Sequence, residues 1–466
     1  MTKGASISGF PEWLPSERAV EQALIDTVRR TFELHGFIGI ETCAVETGAS
    51  LLKKGETSKE IYLLSRLQDV SSDAQVPVEE RLGLHFDLTV PLSRYVLEHS
   101  GQLAFPFKRW QIQKVWRGER PQGGRFREFY QADIDVIGDG VLPEHYEVEL
   151  PLVMCEALQK LQKFGLPTAL IHVNNRQLSE GFYRGIGLTD IESTLREIDK
   201  LDKIGADDVK QLLCDNCGAT SEQADACLEL ATISTNDPQE LTDAFNQLCE
   251  KHHIDRLSEN YHLAEQGLQT ICTIIREAEH IQPHSVIADC KIARGLDYYT
   301  GSVYETFIDG APELGSICSG GRYDSLVNKG NKKYPGVGLS IGLSRLLSYL
   351  LKTLHATANR QSPAAVMVAV WNENDRHLSN AIANTLRSRG ICADVAPQAN
   401  KIGKQIKYAD KLGIPYLWFP ATTESEQQSV KNIITGEQVE ADPLSWVPDT
   451  LYKSQEIIIN NTKSEE

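Results

Sequence analysis

The stretch KRWQIQKVWRGERPQGGRFREFYQADIDVI, residues 108–137, sets the tightest limit on what this chain can fold into. Its first ten residues alternate with period two, placing Trp110, Ile112 and Trp116 on one face and Gln111, Gln113, Val115 and Arg117 on the other. GERPQGG reads as a loop containing a turn. From Glu128 the alternation resumes, with Tyr130, Ala132, Ile134 and Val136 on one face and Phe129, Gln131, Asp133 and Asp135 on the opposite one. The spacing predicts paired antiparallel strands. One face is apolar enough to bury, and the other brings Arg117 beside Gln131 and Asp135. That polar face is either an ordinary solvated surface of an antiparallel sheet or a site that needs a guanidinium, an amide and a carboxylate together.

At 466 residues the chain is long enough for several domains, and 41% hydrophobic with 24% charged residues describes a soluble globular protein with ample core. No stretch approaches the ~20 apolar residues of a membrane span, and MTKGASISGF lacks the apolar run of a secretion signal. Ten cysteines without framework spacing read as reduced thiols, which points to a cytoplasmic protein with no membrane partner. A net charge of −17 leaves room for nucleic acid only at a local basic face.

After Pro15, with Ser16 as a cap, apolar residues recur at helical spacing from Ala19 to Phe32, up to a stop at Gly36. A strand-like piece then runs from Phe37 to about Val45. HVNNR closes this part at residue 176. Residues 177–284 change to charged, helical text and read as a separate helical insertion. Its CDNC pair, Cys214 and Cys217, has no second pair at finger spacing, so these are taken as buried helical thiols and no metal site is assigned. Sheet-like text returns within 285–360: ARGLDYYTG, then CSGGRYDSL, then PGVGLSIGLSRLLSYLL, a glycine-spaced strand entering a helix that carries Arg345. Those glycines let the backbone approach a flat ligand, and an arginine beside them suits phosphate or base stacking.

QSP is a plausible linker, and strand–helix alternation over 364–445 predicts a small α/β domain with a mainly parallel sheet. There Lys401, Lys404, Lys407 and Lys411 lie near one helical face, either solvated or meeting a phosphate-bearing partner. Residues 446–466 read as a tail, frayed over its last dozen residues.

Together these pieces resemble a histidyl-tRNA synthetase, a class II aminoacyl-tRNA synthetase, over roughly residues 10–440. VWRGERPQGGRFREFYQADIDVI resembles motif 2 of the class and PGVGLSIGLSRLL resembles motif 3. The helix and strand over 16–45 resemble the dimer-forming motif 1, without the proline usual in that strand. ARGLDYYTG, residues 293–301, is similar to a signature of histidyl-tRNA synthetases and not of the class at large, with CSGGRYD and KQIKYADKLG beside it.

The resemblance implies an α+β fold: a class II catalytic core of antiparallel sheet flanked by helices, in two parts (1–176 and 285–360). The helical insertion (177–284) interrupts it, and an anticodon-binding α/β domain (364–445) follows. It implies a homodimer that joins L-histidine to ATP and then to tRNA(His), with Mg²⁺ accompanying ATP. By the family pattern Arg117, Arg294 and Arg345 carry the catalysis. Arg117 and Arg294 hold the α-phosphate and the histidine, and Glu119, Arg125, Gly342 and Arg345 hold the rest of ATP. Asp87, Thr89 and Gln131 take the α-ammonium group, while Asp135, Tyr298 and Tyr299 line the imidazole pocket. Gln122 and Arg127 in the motif 2 loop would read the tRNA acceptor end, and Lys404 and Lys407 the anticodon arm. The rival reading is the synthetase-like regulatory subunit of ATP phosphoribosyltransferase, a binding protein expected to lack the C-terminal domain and to have lost the arginine signature.

Overall fold

The structure, a computed structural model, describes residues 6–52, 59–69, 76–293, 299–329, 332–421 and 427–459. One compact unit holds Leu24–Leu350, with the helical stretch inside it, and a second holds the residues from Leu351 onward.

The first unit is organised by a nine-stranded sheet. Its strands are β1 (Ile38–Gly39), β2 (Phe107–Trp116), β3 (Glu128–Ile137), β4 (Ala169–Asn175), β5 (Ser234–Thr235), β6 (Val286–Asp289), β7 (Ser302–Ile308), β8 (Cys318–Tyr323) and β9 (Gly336–Gly342). Across the sheet they run β1-β2-β3-β9-β8-β7-β4-β6-β5. The middle of that order, β2 to β4, is antiparallel throughout. β1 and β6 add as parallel strands.

β9 shows most plainly why one face became a cleft. In GVGLSIG, Val337, Leu339 and Ile341 pair with Val136, Ile134 and Ala132 on the apolar face. Gly338, Ser340 and Gly342 alternate with them and sit opposite Asp135, Asp133 and Gln131. Small residues at every second position leave the polar face of β3 uncovered by its neighbour.

Helices of this unit include α1 (Pro15–Leu34, which begins in the second unit), α2 (Thr89–His99), α3 (His145–Leu161), α4 (Arg176–Gly185), α5 (Glu259–Ala278) and α6 (Leu343–Lys352). In α6, Leu343, Leu346, Leu347 and Leu350 recur at the spacing of one helical face and are buried, leaving Arg345 off that face. The helical stretch was expected as a separate insertion, yet it shares a unit with the sheet. One cause is the close approach of α5 to the end of β4: a Cβ at Gly267 would lie 2.9 Å from Asn175 Oδ1. α5 also packs on α3, β4 and β6.

The strand after α1 is shorter than its apolar text suggests. β1 ends at Gly39, and beyond it the side chains of Gln111 and Gln113 take the hydroxyl and carbonyl of Thr42 in place of a ladder. Val45–Thr47 belongs instead to a small sheet with Leu82–Leu84 and Leu63–Leu64.

In the second unit Val366–Val368 lies between Ala393–Val395 and Tyr416–Phe419, all parallel. Helices α7 (Arg376–Ser388) and α8 (Ile402–Lys411) cover opposite faces: Val366 and Val368 pack with Ile382 and Leu386 of α7, and Met367 and Ala369 with Ala409 of α8. This is why AAVMVAV is apolar throughout. Two strands were not foreseen: Ser429–Asn432 and Gln438–Glu440 extend the sheet antiparallel. Nor is the tail frayed over Ile457–Ile459, which pairs with Ala356–Ala358, while Arg360 donates to the carbonyl of Tyr452 at 2.9 Å. Residues 351–360, read from sequence as catalytic core, thus group with the second unit.

Candidate active site

On the polar face of the sheet the first unit carries a cleft with adjoining compartments of about 610 and 870 Å³. Arg117, Gln131, Ser319 and Ser340 line both. Glu119, Arg125, Gly342 and Arg345 line the first only, and Asp87, Thr89, Asp135 and Tyr299 the second only. The fold therefore gathers the expected residues among these from five separate stretches of chain.

The first compartment is cationic. Arg117 follows β2 directly; its Nε donates to the carbonyl of Phe86 at 3.0 Å, and its guanidinium lies 5.2 Å from the centre of the Phe129 ring. Arg345 reaches in from α6 and donates to the carbonyl of Ser316. Burial, then the nearby charges of Arg125 and Arg117, lower its pKa, and Glu119 opposes them. Glu119 stands 4.0 Å from Arg117 Nη1 and 3.9 Å from Arg125 Nη1, too far for a tight pair. Guanidiniums crowded enough to disfavour each other's charge make a site for a polyanion. Gly342 keeps the floor open, since a Cβ there would meet nothing nearer than the Ile317 carbonyl at 3.6 Å.

The second compartment is acidic at its floor. Asp135 Oδ2 accepts from Arg109 Nη2 at 2.6 Å and its Oδ1 from the Tyr323 hydroxyl at 2.5 Å. Its carboxylate lies where a side chain at position 338 would be, 1.9 Å from a Cβ built on Gly338, so only glycine fits there. Asp87 Oδ1 accepts from the backbone N–H of Val90 at 3.0 Å, capping the first turn of α2. Gln131 Nε2 donates to Ser340 Oγ at 2.6 Å. Burial, then the charge of Glu119, raises the Glu60 carboxyl at the edge of this compartment, and Arg117 opposes the rise.

Other expected residues fall elsewhere. Arg294 and Tyr298 lie outside the described residues. Gln122 is exposed at the turn of the β2–β3 loop, whereas Arg127 is turned inward, its Nε donating to the Glu119 carbonyl at 3.1 Å. Lys404 and Lys407 are exposed on α8 in the second unit. Cys214 and Cys217 are part-buried near the end of the helix Ala206–Cys217. Sequence reasoning missed Asp133 and Tyr323 as members of the cleft, and Arg109 buried beneath its floor. Their signal was present: Arg109 and Asp133 keep period two with Gln111 and Gln131, and Tyr323 closes CSGGRY.

The model of the histidyl-tRNA synthetase family matches residues 9–346, and that of an anticodon-binding domain matches residues 365–446. With the antiparallel sheet and its cleft, these matches define a class II aminoacyl-tRNA synthetase core followed by an anticodon-binding domain. A histidine–tRNA ligase of Bifidobacterium longum is 71% identical over 466 residues, covering 98% of this chain and 100% of its own. One from Micrococcus luteus is 51% identical over 457 residues, covering 96% and 97%. The crystal structure of histidyl-tRNA synthetase from Nostoc sp. PCC 7120 aligns with a TM-score of 0.79 at 35% identity, over 95% of this chain and 97% of that one. The chain belongs to the histidyl-tRNA synthetase family. A structure described as an ATP phosphoribosyltransferase regulatory subunit/histidyl-tRNA synthetase from Bacillus halodurans shares the fold, at 18% identity and a TM-score of 0.67 over 87% of this chain and 96% of that one.

Proposed function

We propose that this chain attaches L-histidine to tRNA(His) through a histidyl-adenylate made from ATP. One observation carries the reading: Arg117 and Gln131 line both compartments, so a carboxylate held in the second faces a phosphate held in the first. Activation brings two anions together and builds negative charge on phosphorus as pyrophosphate leaves. A fixed guanidinium at the junction meets that need, and adjoining compartments supply proximity. No side-chain nucleophile is required.

In this reading Arg117 bridges the histidine carboxylate and the α-phosphate, with Arg294 pressing on them from the other side. Arg345 and Arg125 hold the distal phosphates, Glu119 helps seat ATP, and Gly342 leaves room for it. Asp87, Thr89 and Gln131 receive the α-ammonium group, and Asp135, Tyr298 and Tyr299 the imidazole. Mg²⁺ enters as part of the ATP substrate, since it keeps phosphate and water oxygens readily. Gln122 meets the tRNA acceptor end, and Arg127 acts by bracing the loop that carries it. A cytoplasmic homodimer built on the motif 1 segment completes the proposal. So does a division of labour in which 1–176 and 285–360 activate histidine, 177–284 flanks them, and 364–445 binds the anticodon.

Charging of tRNA decides between this reading and its rival. With ATP and labelled histidine the chain should accumulate histidyl-tRNA; binding of both small substrates without charging would favour the regulatory-subunit reading. Within the site, Asp135→Asn should raise the KM for histidine by ~10-fold or more, as expected where a buried hydrogen-bonded charge is lost, and leave that for ATP nearly unchanged. An equal rise in both would remove Asp135 from the imidazole pocket. In the second unit, reversing Lys404 and Lys407 to glutamate should weaken tRNA binding and flatten its dependence on salt, with adenylate formation intact. Unchanged tRNA affinity would return these lysines to a merely solvated face.

A further inference from the structure

Asp133 stands between Gln131 and Asp135 on the cleft face of β3 and is 3% exposed. Its flanking residues have settled partners: Asp135 is held by Arg109 and Tyr323, and the Gln131 amide nitrogen by Ser340. Left over on this strand are two buried acceptors that meet no donor among the described residues, Gln131 Oε1 and Asp133 Oδ1. The other Asp133 oxygen is 3.9 Å from Arg109 Nη2, beyond hydrogen-bonding distance. Buried acceptors in folded proteins are almost always satisfied. A group that satisfies two of them and brings no acceptor of its own is a protonated amine.

Resting on the reading of the second compartment as the histidine pocket, we propose that Asp133 is a binding residue for the α-ammonium group of histidine. It takes a hydrogen bond beside Gln131 and supplies the negative charge that an amide lacks. Same-face residues along a strand are about 7 Å apart. Arg117 at the junction, Gln131 and Asp133 behind it and Asp135 deepest thus match the order carboxylate, ammonium, imidazole.

The electrostatics agree. Burial pushes the Asp133 carboxyl up to about 7, against Arg109 and the Ser340 hydroxyl and with Asp135 and Asp87 adding to the rise. Among the described residues, the charged and titratable groups around it are Arg109 on β2, Asp135 on β3, Cys318 and Tyr323 on β8, Asp87 ahead of α2, and Glu60, Arg117 and Tyr299 at the compartment wall. An arriving ammonium group favours the ionised carboxylate, so binding near pH 7 expels a proton from Asp133.

Calorimetry on the full chain tests this with L-histidine and imidazole-4-propionate, which keeps the ring and carboxylate but lacks the amine. In buffers of different ionisation heat, the wild-type protein should release a proton on binding histidine and none on binding the analogue. Asp133→Asn should weaken histidine on the order of 10- to 100-fold, the range for a hydrogen bond to a charged group, and abolish the proton release. It should change affinity for the analogue by less than about twofold, well below that range. Equal weakening of both ligands, or wild-type release with both, would overturn the assignment and make Asp133 a structural acid of the floor. A wild-type chain that binds no histidine would overturn the pocket reading itself.

Discussion

Arg117→Ala should slow histidyl-adenylate formation by about 10²–10³-fold, the usual loss when one preorganised donor to a developing anion is removed. Arg117 is placed for this effect by the fold and not by its own flexibility. Its Nε is fixed to the Phe86 carbonyl and its plane rests near the Phe129 ring, which leaves the two terminal nitrogens at the junction of the compartments. Charge at that point is greatest in the transition state, so the rate should fall more than substrate affinity. Arg117→Lys should recover only part of the loss, because a point charge on a flexible stem cannot keep the Phe86 contact while spanning carboxylate and phosphate. Single-turnover kinetics with a melting curve on the same variant checks this. A higher KM with an unchanged single-turnover rate would make Arg117 a ground-state clamp.

Arg109→Leu should destabilise the first unit by about 3–5 kcal/mol, the range for breaking a buried ion pair from one side. Arg109 is 0% exposed and is the cation beneath Asp135 and Asp133. Its loss leaves buried carboxylates without a counter-charge, and adding Asp135→Asn should restore part of the stability because one of those charges is then gone. The deficit should also depend on pH. A carboxyl whose folded pKa lies above its unfolded value stabilises the fold while protonated, and that contribution is lost as pH rises through the folded pKa. Asp133 already titrates near 7 beside Arg109, and removing the cation moves it higher. Arg109→Leu should therefore lose more stability relative to wild type at pH 8 than at pH 6. Denaturation curves at both values decide, and an equal loss at both would mean that Arg109 acts through packing alone.

The contrast between Arg117 and Arg109 shows what the sequence could convey. Period two told correctly which residues share a face: Gln131, Asp133 and Asp135 do lie together, with Ala132, Ile134 and Val136 behind them. Period two cannot tell whether a polar face meets water. Here Asp87 and Thr89 ahead of and within α2 and Tyr299 after β6 close over it, and their approach is a matter of tertiary structure. Arg109 therefore looked like one more charged strand residue, while Arg345 stood out because spaced glycines precede it and let the backbone approach a flat ligand.

The helical character of 177–284 was equally plain, but its union with the sheet depends on small residues such as Gly267 meeting Asn175 at the end of β4, a contact between distant positions. In the second unit, AAVMVAV announced a strand buried on both faces. The antiparallel pair Ser429–Asn432 and Gln438–Glu440 did not announce itself, because the first buries only Val430 and the second is an exposed edge strand with no apolar alternation.

Histidine-dependent exchange of pyrophosphate into ATP, measured against each of the twenty amino acids, tests the central claim most directly. It needs no tRNA and reports only whether an amino-acid carboxylate and the α-phosphate of ATP react across the junction that Arg117 and Gln131 line. Histidine should support exchange and the other amino acids should not, since a pocket built on hydrogen bonds to a substrate ring rejects analogues that lack them by ~10⁴-fold or more. Exchange driven equally well by another amino acid, or by none, would contradict the account.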